Sequence, residues 1–98
     1  MLQHLRIARP TDHLDSVTDF YVNGLGMQVT GSFQNHDGFD GVMLSLPDLP
    51  WHLEFTCQPG HSAGRAPSED NLLVFYLPEK EEWEQAVQRM KTAGNLPV

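Results

Sequence analysis

Ninety-eight residues, 40% of them hydrophobic and including two Trp, five Phe and two Tyr, are enough for one folded domain and too apolar for a disordered chain. A formal charge of −7 repels a phosphate backbone, whose recognition relies on clustered Lys and Arg, so nucleic acid is excluded as a partner. No apolar run approaches the roughly 18 residues of a membrane span, and Met1-Leu2-Gln3-His4-Leu5-Arg6 leads into no signal-peptide core, so no membrane partner and a cytoplasmic location are expected.

Leu5, Ile7 and Arg9 alternate with Arg6 and Ala8, a period of two that predicts a strand ending at Pro10. Asp12, with Asp15 three residues on, is placed to cap a helix whose apolar stripe is Leu14, Val17, Phe20 and Tyr21, and Gly24 and Gly26 end it. Alternation resumes from Met27 to Phe33, turn chemistry follows in Asn35-His36-Asp37-Gly38, and Gly41 to Leu46 runs back with Val42, Leu44 and Leu46 on one face, which predicts a hairpin. After Pro47-Asp48-Leu49-Pro50, the stretch Trp51 to Thr56 predicts a fourth strand with Trp51, Leu53 and Phe55 on one face and His52, Glu54 and Thr56 on the other. Gln58 to Asp70 has Pro, Gly and Ser but no periodicity and predicts a mobile linker. The apolar run Leu72 to Leu77 suits a strand buried on both faces. Pro78 then opens a second helix, with Glu79, Glu81 and Glu82 early, Arg89 and Lys91 late, Gly94 just past the end, and Trp83, Ala86, Val87 and Met90 as its buried stripe.

Pro10 and Pro78, Phe20 and Met90, and Gly24 and Gly94 recur at offsets of 68 to 70 residues, which marks an internal repeat of supersecondary units. Residues 1–98 therefore read as a single domain: a complete βαβββ unit over 1–57, a linker over 58–70, and a partial second βα unit over 71–98. Three strands of the second unit are missing from the sequence given.

The chain resembles the vicinal oxygen chelate superfamily of glyoxalases, bleomycin resistance proteins and extradiol dioxygenases. The resemblance is carried by Leu5-Arg6-Ile7-Ala8-Arg9-Pro10, Leu14-Asp15-Ser16-Val17, Phe20-Tyr21-x-x-Gly24-Leu25-Gly26, Gly38-Phe39-Asp40-Gly41 and His52-Leu53-Glu54-Phe55. It implies an α+β fold whose mixed sheet curls into an open cup, with the inward face holding a small molecule or a metal. In metal-dependent members, the resemblance implies a His or Gln on the first strand, a Glu or His on the fourth, and two ligands from the second unit. Arg6 stands at the first-strand position, where a guanidinium has no lone pair to offer; His4, two residues earlier on the same face, is a shifted substitute. Glu54 matches the fourth-strand Glu, and His52 shares its face. The second unit offers only Leu72 or Leu73 and lacks its last strand, so a homodimer, strand-exchanged or not, would have to complete a site.

Arg6 on an inward face calls for a carboxylate. Either Glu54 pairs with it structurally, or the two, with His52, line a binding site for an anionic ligand. His52-x-Glu54 superficially matches half of a zinc deaminase motif, but the partner Pro-Cys-x-x-Cys is absent. No Gly-x-Ser-x-Gly elbow, phosphate-cradling loop or dinucleotide fingerprint is present. Cys57 has no internal disulfide partner and falls on the face of Trp51 and Phe55, where a buried structural thiol is expected. His13 and His36 lie at a helix start and a turn and are expected to be solvated. The leading expectation is a homodimeric small-molecule-binding protein with Arg6, His52 and Glu54 lining its cup. One rival is a lyase, isomerase or dioxygenase whose Zn, Ni, Mn or Fe is held by Glu54, His52 and His4. The other is a truncated module without activity of its own.

Overall fold

The elements run β1 (Leu5–Pro10), α1 (Leu14–Asp19, continued by a π-helical turn over Phe20–Gly24), β2 (Gln28–His36), β3 (Phe39–Ser45), β4 (Trp51–Cys57) and α2 (Lys80–Thr92). They belong to a computed structural model that describes residues 4–97. Met1, Leu2 and Gln3, which begin the segment read as free of a leader, and Val98, the end of the partial second unit, lie outside the described residues.

One mixed sheet carries the strands in the order β1-β4-β3-β2. β2 and β3 are antiparallel neighbours joined by a two-residue turn in which Asp37 and Gly38 have φ of 53° and 85°. Two successive positive φ values define the type I′ turn that matches strand twist, and Gly38 accepts the second at no steric cost. β3 and β4 are also antiparallel, whereas β4 and β1 run parallel, with Leu5 beside Trp51 and Ile7 beside Leu53. Parallel neighbours need a long crossover, and here α1 with the β2–β3 hairpin supplies it.

The alternation that predicts each strand also decides which face is buried. Val42, Leu44, Leu53 and Phe55 join Met27 in the core, where Leu44 and Leu53 are 0% and 1% exposed. Leu14, Val17, Tyr21, Val22 and Leu25 of the helical segment close over them. Arg89 of α2 donates from Nε to the Gly24 carbonyl at 3.0 Å and from Nη2 to the Leu25 carbonyl at 3.1 Å. A cation thus meets the carbonyl-rich end of the first helix, where both its hydrogen bonds and its charge are favourable.

The structure corrects five local expectations. Asp12 does not cap α1: the N-cap is His13, with no side-chain cap. Its carboxylate instead accepts from the Ala63 and Gly64 amides at 2.7 and 2.9 Å and from Ser62 Oγ at 3.3 Å. The segment expected to be a free linker is therefore tied at its middle to the β1–α1 junction. Residues 72–77 form no strand and have no ladder partner among the described residues. Leu73 is partly buried against the core, while Leu72, Val74, Phe75 and Tyr76 are exposed, so neither face of the segment is fully buried. Within α2 only Ala86 of the expected stripe is buried, and Trp83 is half exposed. Cys57 is partly rather than fully buried.

Leu53→Ala leaves a void where no water was, and a loss of about 2–5 kcal/mol is expected from the shift of the chemical denaturation midpoint. Hydrogen bonds from the Ala63 and Gly64 amides hold the Asp12 carboxyl below the ordinary 3.8. A carboxylate depressed on folding contributes stability above its unfolded pKa and loses it as pH falls through the folded one. Ala63 and Gly64 should accordingly be protected from hydrogen exchange at neutral pH and lose that protection below pH 3.8. At neutral pH, where wild-type Asp12 is ionised and holds the segment, Asp12→Ala should expose Arg65 to faster tryptic cleavage.

Candidate functional site on the open face of the sheet

With the apolar side chains turned toward the helices, strand parity sends Arg6, His52 and Glu54 to the other face of the sheet. The parallel register puts Arg6 directly beside His52, and Glu54 one pleat further along, between Ala8 on β1 and Met43 on β3. No helix of the described residues packs on this face, since both lie on the core side. Ser45, itself buried, donates from Oγ to the Trp51 carbonyl at 2.7 Å and ties down the entry of β4 just before His52. Sequence reasoning did not single out Ser45; the parity of β3, which sets Gly41, Met43 and Ser45 opposite Val42 and Leu44, was the signal available.

The three expected residues are brought together. Arg6 Nε donates to His52 Nε2 at 2.7 Å, and Arg6 Nη1 lies 3.3 Å from Glu54 Oε2. His4, the shifted candidate, reaches the same cluster, with its Nε2 3.1 Å from His52 Nδ1. The Arg6 side chain is 50% exposed and that of Glu54 only 16%, so a nearly covered carboxylate is neutralised by a guanidinium open to solvent on one side.

This geometry fixes the imidazole. Arg6 Nε always carries its hydrogen, so His52 Nε2 must be the bare nitrogen. The ring proton then sits on Nδ1 and is donated to His4 Nε2. His52 is held below its ordinary pKa by desolvation first, then by the charges of Arg6 and His4, with Glu54 pulling the other way. Neutral His52 is the form this network accommodates.

The metal that the resemblance brings with it does not fit these donors within one chain. Both ring nitrogens of His52 face hydrogen-bond partners, a guanidinium fills the space toward Glu54, and the described residues contain no group of three His, Cys, Asp or Glu able to hold an ion. His13 and His36 are exposed, and His36 lies 3.7 Å from Asp37 of the hairpin turn.

A second hollow, of about 630 Å³, lies between the first helix, residues 71–77 and α2. Phe20, Tyr21, Phe75, Trp83 and Met90 wall it, and its polar groups are Arg9, Asn71, Lys91 and Asn95. Its lining holds no carboxylate or imidazole.

The α-helix-covered sheet in the order β1-β4-β3-β2, with a charged cluster on its free face, defines a glyoxalase-like protein of the vicinal oxygen chelate superfamily. Family models for the YycE-like N-terminal domain and the YycE-like C-terminal domain match residues 5–56 and 70–98, and the chain belongs to the YycE-like family. The uncharacterized protein YycE of Bacillus subtilis (strain 168) is 44% identical over 94 residues, which are 96% of this chain and 68% of that protein. A crystal structure of a Bacillus subtilis YycE protein of unknown function, put forward as a glyoxalase/fosfomycin resistance protein, superposes with a TM-score of 0.86 at 43% identity, covering 98% of this chain and 70% of that one. No described helix is long and apolar enough to cross a membrane.

Arg6→Ala removes the donor that keeps His52 Nε2 bare. The His52 ring proton is expected to move from Nδ1 to Nε2, which long-range ¹H–¹⁵N correlation of the imidazole reads directly.

Proposed function

We propose that this chain is a small-molecule-binding protein of the glyoxalase and bleomycin-resistance type that takes an anionic group of its ligand on the open sheet face, against Arg6, His52 and Glu54. The observation that carries this reading is the half-exposed guanidinium fixed by His52 and Glu54. Of the five N–H donors of a guanidinium, one faces the imidazole and one the carboxylate, while Nη2 has no partner among the described residues. A planar donor already oriented by its neighbours loses little entropy on meeting a carboxylate or phosphonate. Ala8, beside Glu54 on β1, has only a methyl group on this face, and the Phe33 ring, which fills the space over Gly41, offers an apolar wall.

The protein acts as a homodimer in this reading. Support comes from the uncovered polar face and from residues 72–77, which present an extended edge without a ladder and the exposed side chains of Leu72, Val74 and Tyr76; such edges are ordinarily covered. Sedimentation at increasing concentration should show the dimer, and a stable monomer throughout would refute it.

The ligand reading is tested by NMR titration with phosphonoacetate, which carries both a carboxylate and a phosphonate. Amides flanking Arg6, His52 and Glu54 should shift together, and Arg6→Ala should weaken binding by at least about tenfold, or 1.4 kcal/mol. Absence of shifts at millimolar probe, or shifts indifferent to Arg6, would sink it.

A further inference from the structure

We infer that the Arg6 guanidinium is a resident cation, standing between His52 and Glu54 in place of a divalent ion, so that the site engages an anionic ligand without metal and becomes a metal site only when Arg6 is replaced. The part that concerns the ligand rests on the proposed function; the part that concerns the metal does not.

Two side chains that would ligate an ion both turn to Arg6, at 2.7 Å from His52 Nε2 and 3.3 Å from Glu54 Oε2. The lone pair of His52 that points into the site is therefore spent on a guanidinium hydrogen. The other ring nitrogen carries the proton shared with His4, and a protonated nitrogen has nothing to give a metal. To bind there, an ion would have to expel a permanently charged side chain from a carboxylate that is only 16% exposed, breaking a charge-assisted pair whose removal leaves a poorly hydrated charge.

Charge gives the same answer as geometry. Glu54, largely withdrawn from water, needs a positive neighbour, and Arg6 meets that need at every pH at which the protein is folded. A guanidinium also differs from an ion in what it offers a ligand: hydrogens in one plane rather than open coordination positions around a sphere. The site therefore selects planar or tetrahedral oxyanions by hydrogen bonding and has no means of polarising two vicinal oxygens by coordination.

The register shows how small the change to a metal site is. Position 6 lies directly beside His52 and one pleat from Glu54. An imidazole placed there would join His52 and Glu54 on one face as two nitrogens and a carboxylate, a donor set suited to zinc, with His4 two residues earlier on the same face.

The test is titration of the purified full chain with zinc by calorimetry, repeated with cobalt to read its d–d absorption. Wild type should show no saturable one-to-one site. Arg6→His should bind one ion per chain at least about tenfold more tightly than wild type, a difference of 1.4 kcal/mol, with a cobalt spectrum of nitrogen and oxygen ligation. Arg6→His combined with Glu54→Ala should fall back to wild type. Arg6→Gln, which keeps a longer side chain, serves as the second variant if circular dichroism shows Arg6→His to be unfolded. Stoichiometric zinc in wild type that disappears in Glu54→Ala would overturn the inference, as would a folded Arg6→His and Arg6→Gln that both bind no better than wild type. Failure of phosphonoacetate to bind would remove the ligand reading alone, because the metal arms do not use it.

Discussion

The parallel pairing of β1 with β4 is the constraint on which the rest of the molecule depends. It is made between residues about as far apart as the first repeat unit allows, and α1 and the β2–β3 hairpin must fold back across the sheet before it can form. Once it is made, parity leaves no freedom: Ile7, Leu53 and Phe55 go to the helices, and Arg6, His52 and Glu54 go to the opposite face. A slip of one residue would bury a guanidinium and expose Leu53. The apolar core therefore enforces the register that assembles the polar cluster, although the two share no side chain.

Much of this was legible in the sequence, because the relevant signals are local. Period-two alternation located β1, β3 and β4, the turn residues Asn35-His36-Asp37-Gly38 located the hairpin although Asn35 and His36 still belong to β2, and the acidic start and basic end of α2 located its helix. The face shared by His52 and Glu54 followed from parity alone, and the pairing of Arg6 with Glu54 was one of two readings open at that point. What escaped depends on partners distant in the chain. Asp12 has the chemistry of a helix cap and sits at the right place for one, but the amides of Ala63 and Gly64 compete for the same carboxylate and win. Residues 72–77 have the composition of a strand, yet a strand exists only with a neighbour, and the described residues place no strand beside them. The role of Arg89 in binding the carbonyls of Gly24 and Leu25 joins two helices that sequence cannot place together.

The two helical segments differ in what covers them. In the first unit the helical segment is covered by the strands that follow it. In the second, α2 turns Trp83, Val87 and Met90 toward the hollow that Phe20, Tyr21 and Phe75 wall from the other side. This chain covers 68% and 70% of the lengths of the two relatives it matches. The polar site is built wholly from the first unit and does not depend on how that hollow is filled.

Residues 72–77 also bear on the protein's behaviour in concentrated solution. Leu72-Leu73-Val74-Phe75-Tyr76-Leu77 is an uncharged, β-prone hexapeptide with an open backbone edge, the composition from which cross-β stacks are made. Asp70 on one side and Pro78 on the other bound it, one by repulsion between stacked copies and the other by denying a backbone donor. Packing of Leu73 against the core and of Phe75 against Trp51 and Tyr21 withholds alternate side chains from such a stack. The contacts that hold this segment against the first unit thus also act as a brake on fibril growth.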